Sequence, residues 1–172
     1  YIFPNYPRPS DTRPATIHSP ESTISRTDAS KTYGESDPTF TASATGWVYD
    51  DSNTLLVGTL SRQDSSNDVK DGGYEITTSY RNPNYAITYD NGTLTINKKD
   101  ISIVVDSKTK TFGDPDPVFT ATPNGWVGTS DEWLATLADS EIATFSRTAG
   151  EDANANGYTI NLEFVHPNYD VI

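Results

Sequence analysis

The sequence predicts a β-rich α+β protein: two tandem small modules of mostly antiparallel sheet, grasp-like in strand order, with a short helix in the second. Three observations carry this prediction. A twelve-residue motif occurs twice, short β-branched and aromatic runs alternate between turn signals, and a single helix-capping signature precedes apolar residues at helical spacing.

The repeat comes first. Lys31-Thr32-Tyr33-Gly34-Glu35-Ser36-Asp37-Pro38-Thr39-Phe40-Thr41-Ala42 returns 79 positions later as Lys110-Thr111-Phe112-Gly113-Asp114-Pro115-Asp116-Pro117-Val118-Phe119-Thr120-Ala121. Gly46-Trp47-Val48 and Gly125-Trp126-Val127 keep that offset. Leu60-Ser61-Arg62 matches Phe145-Ser146-Arg147 at 85, so the second copy has gained six residues. Gly73-Tyr74 and Pro83-Asn84-Tyr85 then match Gly157-Tyr158 and Pro167-Asn168-Tyr169 at 84. Similarity also extends backwards, with Pro4-Asn5-Tyr6 and Ala15-Thr16-Ile17 standing 79 before Pro83-Asn84-Tyr85 and Leu94-Thr95-Ile96. Residues 1–20 therefore read as the tail of a preceding repeat or a linker, broken by Pro7, Pro9 and Pro14. Residues 21–98 form the first module, and residues 99–172 the second, without its closing strand. The boundary near Asn97–Asp100 leaves little slack, which predicts stacking end to end as a stiff rod.

Within the modules, Ile101–Val105 is a β-branched strand. Gly113–Pro117 breaks it, since proline donates no ladder hydrogen bond, and Val118–Ala121 resumes as a short strand. Thr129 and Glu132 form a capping box, and Trp133, Leu134, Leu137 and Ala138 follow on one helical face. The matching Asp51–Leu60 region is shorter and accommodates only a turn. Ile142–Arg147 and Tyr158–Val165 alternate as strands, with Tyr158, Ile160, Leu162 and Phe164 on one face. In the first copy Tyr85–Tyr89 and Thr93–Ile96 flank Asp90-Asn91-Gly92, which predicts a hairpin through a type I′ turn with positive φ at Gly92.

Composition narrows the function classes. Lys+Arg 12 against Asp+Glu 24 gives a net charge of −12, which argues against nucleic acid as a partner. With 34% apolar residues and a mean hydropathy of −0.59, no stretch is suited to crossing a bilayer. Ten Tyr, six Phe and three Trp supply bulk for a core. There is no Cys, so neither disulfides nor thiolate chemistry are available. The chain opens at Tyr1 without Met and shows no signal or transit segment, as a mature fragment or excised piece would. Its 17 Ser and 24 Thr suit a secreted bacterial surface protein.

The motifs Lys-Thr-(Tyr/Phe)-Gly-(Glu/Asp)-x-Asp-Pro-x-Phe, Ser-Arg, Gly-Tyr-x-Ile, (Asn/His)-Pro-Asn-Tyr and Asn-Gly-Thr-Leu-Thr-Ile resemble the MBG-type, YGDPDP-like repeats of large bacterial adhesins. The resemblance spans Ile24–Ile96 and Ile101–Ile172 except for the closing strand. It implies tandem modules on the extracellular bacterial cell surface, acting as stalk or mucus-adhesion units.

Candidate sites are few. Neither nucleophile motifs, phosphate loops nor paired histidine ligands occur, so no enzymatic activity and no cofactor is expected. His18 and His166 stand alone, and His166 occupies the place of Asn82. Asp114 and Asp116, like Glu35 and Asp37, are hard-oxygen candidates for Ca²⁺, but their spacing lacks a calcium loop's density and reads as a proline-locked turn. Asp50-Asp51-Ser52-Asn53 reads the same way. Trp47 and Trp126 recur after glycine and are expected in the core. Trp133 belongs to the inserted segment, and either anchors the helix or makes a copy-specific contact. Together Trp133, Trp126 and Trp47 are the candidate platforms for a host glycan or mucin. Lys31, Lys110, Lys98 and Lys99 are expected to be exposed, with no Lys–Asn–acid triad for an isopeptide cross-link evident. Two partner modes remain for the open edge predicted beside Asn168–Ile172. Neighbouring repeats close it in cis, or a neighbouring subunit closes it in trans through residues 15–17, building a head-to-tail filament.

Overall fold

A computed structural model describes residues 16–172. The expectations for Pro4-Asn5-Tyr6, the three prolines and Ala15 lie outside these residues. The first module has two sheets. In one, β1 (Glu21–Arg26) lies between β3 (Ala42–Thr45), antiparallel to it, and β6 (Ala86–Asp90), parallel to it. The other runs in the order β2 (Ala29–Thr32), β7 (Gly92–Asn97), β5 (Tyr74–Thr78), β4 (Leu60–Arg62). A parallel β2–β7 pair there joins two antiparallel pairs. The second module repeats the first sheet as β9 (Ala121–Asn124), β8 (Lys99–Val105) and β12 (Tyr169–Val171). Its other sheet has two strands, β10 (Ala143–Arg147) and β11 (Ile160–Phe164), with helix α1 (Ser130–Ala138) before them. The fold is thus β-rich α+β in two tandem modules with mostly antiparallel pairing and one short helix.

Each module has its own core. Tyr74, Ile76, Leu94 and Ile96 are buried together in the first, all from the two central strands of its four-stranded sheet. Strict alternation in Gly92-Thr93-Leu94-Thr95-Ile96 puts every second side chain inward. Ile101, Ala121, Trp133 and Tyr169 form the second core. Helix α1 begins as expected: Thr129 accepts from the Glu132 amide, and the Glu132 carboxylate accepts from Thr129 N at 2.6 Å. In the first module the matching segment is a single 3-10 turn, Asn53–Leu55.

Three local expectations are corrected. Asn91-Gly92 is not a type I′ hairpin turn. β6 and β7 belong to different sheets, and Gly92 has no positive φ. The chain crosses there from one sheet to the other, with the Arg26 side chain donating to Asp90 O at 2.9 Å and to the Asn91 side chain. Glycine is needed for space: a Cβ on residue 92 would stand 2.9 Å from Arg26 Cβ and Arg26 O. The strand expected over Val118–Ala121 starts only at Ala121, because β8 ends at Val105, its partner. Val118 is exposed. Finally, Tyr169–Val171 pair with Lys99–Ile101 and stand at the edge of their sheet, as β6 does in the first module. The place left by the missing closing strand is not beside them: β7, which has no counterpart in the second module, pairs with β2 and β5, and β5 is matched by β11.

Candidate functional site

The repeated motif residues converge on one charged cluster per module. In the first, the Lys31 ammonium donates to Asp37 Oδ1 (2.8 Å), Asn67 Oδ1 (2.7 Å) and Glu35 O (3.0 Å). Arg62 donates through Nε to Asp37 Oδ2 (2.8 Å) and through Nη2 to Asn67 Oδ1 (2.9 Å), and its guanidinium lies 5.6 Å from the Tyr74 ring centre. In the second, Lys110 donates to Asp116 Oδ1 (2.8 Å), Glu151 Oε2 (2.6 Å) and Asp114 O (3.2 Å). Arg147 bonds Asp116 Oδ2 (2.6 Å) and Glu151, and lies 5.4 Å from the Tyr158 ring centre. The tight Gly34 and Gly113 turns, both at positive φ, fold each lysine back onto its aspartate six residues on.

The electrostatics follow from this geometry. Arg147 and Lys110 hold the Asp116 carboxyl down to about 2. Lys110 and Arg147 hold Glu151 below its ordinary value, while Asp116 and Glu151 raise both cations. The aspartates of the motif therefore face cations of their own chain. Among the described residues, no three His, Cys, Asp or Glu side chains are grouped to hold a metal ion. Lys31 departs from expectation, being buried rather than exposed, with its side chain 3% accessible. Lys31, Asp37 and Asn67 are the Lys, acid and Asn that sequence spacing did not bring together. The recurrence of Ser-Arg at positions 61–62 and 146–147 was the one signal pointing to the arginines. Nothing in the sequence singled out Asn67 or Glu151.

The tryptophans fall into two settings. Trp133 is 4% exposed, donates from Nε1 to Ala121 O at 2.8 Å, and packs against Trp126 and Phe164. It anchors the helix to the sheet and offers no ring face to a ligand. Trp126 is half-buried, stacked on Tyr169 with ring centres 5.0 Å apart. Trp47 is half-buried as well, with its ring edge against Tyr85 at 4.9 Å and Nε1 bonded to Asn53. The three do not form one cleft. Each repeated tyrosine ties a loop: Tyr85 OH accepts from Val48 N, and Tyr169 OH accepts from Val127 N. His166 accepts from Asn168 N through Nδ1 (3.1 Å), and burial lowers its pKa.

Between the modules lies a joint where motif residues Tyr33, Gly34, Asn168 and Tyr169 meet, a contact that their repetition did not announce. Asn168 accepts from Val69 N (2.8 Å) and donates to Asp68 Oδ1 (2.8 Å), and is itself 3% exposed. Tyr33 meets Tyr169 edge-on at 5.3 Å and packs against both cores. Gly34 lies under Val127, whose methyl would be 2.6 Å from an added Cβ.

Two comparisons with known proteins, one against curated sequences and one against solved structures, find no match. A third, with family sequence models, finds one that matches twice in tandem. It covers residues 23–95 and residues 101–172, and is described as MBG domain (YGX type).

Proposed function

We propose, because the chain belongs to the MBG domain (YGX type) family through both of its modules, that it is a non-catalytic stalk repeat of a bacterial surface protein. On this reading it projects a distal part of the molecule from the cell or helps attach it to a host surface. One observation carries the reading. The motif that repeats most faithfully, Lys-Thr-(Tyr/Phe)-Gly with its Asp-Pro and distant Arg, has its polar groups engaged in the chain's own hydrogen bonds and ion pairs in both modules. Repeated identity thereby maintains a shape.

A spacer must hold its modules at a fixed distance. Tyr33, Asn168 and the single residue between β7 and β8 support that here. The absence of cysteine makes the test direct. Dyes placed on exposed Gln63→Cys and Ser140→Cys should give one narrow distance distribution by single-molecule energy transfer. A broad or shifting distribution would refute the spacer. Mucin and glycan arrays probe the adhesive alternative, for which specific saturable binding is the required result.

A further inference from the structure

The joint between the modules has two halves, and each half recurs, exposed among the described residues, on the side of a module that faces away from the joint. In the first module β7 lies between β2 and β5, burying Leu94 and Ile96, and the second module then seats on Tyr33, Gly34 and the Asp68-Val69 loop. The second module has the same receiving parts, exposed among the described residues. Lys108–Thr111, matching β2, form no strand, and Tyr158 and Ile160, matching Tyr74 and Ile76, lose their full burial. Between them opens a cavity of about 440 Å³ that Phe119 and Arg147 also line. Phe112, in the place of Tyr33, is 70% exposed, and a Cβ on Gly113 would meet nothing within 4 Å. Asp152-Ala153, in the place of Asp68-Val69, is exposed as well.

The opposite end presents the inserting parts. Val48, Asn84 and Tyr85 match Val127, Asn168 and Tyr169, and Asn84 is exposed where Asn168 is buried. They line a second cavity of about 640 Å³ together with Ile17, Pro20 and Tyr49. Ile17, which matches the buried Ile96, is 92% exposed, and Thr16-Ile17 precede β1 as Thr95-Ile96 precede β8. One substitution pair also corresponds. Within the first module, Thr93 N–H donates to Asp28 and holds β7 beside the start of β2. In the sequence the matching residues are Pro14, which has no N–H, and Ser107, which has no carboxylate.

We propose that the groove between Lys108–Thr111 and Ile160 receives the segment around Ile17 of a second copy of this chain, with that copy's Val48–Tyr85 end seated on Phe112. The contact is strand addition to an unpaired edge, parallel to residues 108–111 and antiparallel to β11, as β7 runs in the first module. Ile17 fills the place of Ile96. Asn84 takes the hydrogen bonds of Asn168, now with Asp152 and the Ala153 amide. The contact is heterologous, so copies add head to tail and continue past two rather than closing as a twofold dimer. It stands apart from the proposed surface role, because it needs only the two ends of the chain's own repeat.

Sedimentation velocity of the purified chain over a concentration series tests this. The mass should grow with concentration beyond a dimer. Ile17→Asp disables the inserting end and Phe112→Asp the receiving end; both sites are exposed, so each variant should keep the parent circular dichroism and remain monomeric. Mixed together, the two variants should form a one-to-one dimer that grows no further, since one intact end of each kind remains. A peptide of residues 90–98, added in excess to the parent, should bind and dissolve the assemblies. A parent that stays monomeric up to its solubility limit overturns the proposal, as does a variant mixture that stays monomeric. Peptide binding without self-association overturns it also, by showing that the groove takes its strand from elsewhere.

Discussion

At the scale of single residues, Lys31 shows how the same three groups can suggest chemistry or preclude it. Its nitrogen lies 2.7 Å from the Asn67 amide oxygen with Asp37 alongside, the components of a Lys–Asn cross-link. A nucleophilic amine needs a lone pair. Here three acceptors (Asp37, Asn67 and the Glu35 carbonyl) engage the three protons of the ammonium, leaving none. The intact mass of the folded protein should therefore equal that of the unmodified chain, and a species lighter by one ammonia would refute this. Gly92 gives a second prediction. Its constraint is the approach of Arg26 rather than positive φ, so Gly92→Ala and Gly92→Asn should both cost about 1–3 kcal/mol by denaturant midpoint. An Asn variant much more stable than the Ala variant would restore the turn explanation.

Acid sensitivity also arises from named residues. The Asp116 carboxyl sits at about 2 in the fold against 3.8 for an unperturbed aspartate. A depressed acid contributes stability that is present above the unfolded value and lost as pH falls towards the folded one. His166, depressed by burial, adds nothing above its ordinary value of 6.5, where it is neutral folded or unfolded, and opposes the fold below it. The denaturant midpoint should fall in two stages, mildly below about pH 6.5 and more steeply from about pH 4 towards 2. Asp116→Asn should flatten the lower stage, and an unchanged lower stage would remove Asp116 from the account. Because this cluster is open to solvent, added salt should weaken its share.

At the scale of elements, a strand exists where it has a partner. Ala29–Thr32 and Lys108–Thr111 carry the same Lys-Thr ending, yet only the first, paired to β7, is a strand. Local propensity does not decide between them; ladder hydrogen bonds do. The helix is the opposite case, because its start is set locally by the Thr129 cap and its position by Trp133. Thr129→Ala should cost about 1 kcal/mol. Trp133→Ala should cost about 3–5 kcal/mol, since it empties the centre of the second core and orphans the Ala121 carbonyl. If the two losses were equal in thermal or denaturant unfolding, the helix would be held by its cap rather than by its anchor.

For the whole molecule, the joint determines whether two modules behave as one. Tyr33 belongs to both cores, and Asn168 makes two hydrogen bonds to the first module from a buried position. The parent should accordingly unfold in a single calorimetric transition. Tyr33→Ala combined with Asn168→Ala should split that transition in two, because each module retains a core of its own. A parent that already shows two transitions would mean that the joint couples nothing.

What the sequence determined by itself was whatever depends on neighbours along the chain. The tandem repeat was legible from recurring residues, the helix start from Thr129 and Glu132, and the inward face of β11 from the alternation of Ile160, Leu162 and Phe164. Asn91-Gly92 misled because the dipeptide specifies a tight turn only when its flanking strands pair with each other. These strands pair instead with β1, β2 and β5, up to 65 positions away in the chain. Tertiary structure alone decided the burial of Lys31, the meeting of Asp37, Arg62 and Asn67, and the joint made by Asn168 with Asp68. Those contacts link residues as far as 100 positions apart, and no local pattern encodes which distant group will neutralise a charge or accept a proton.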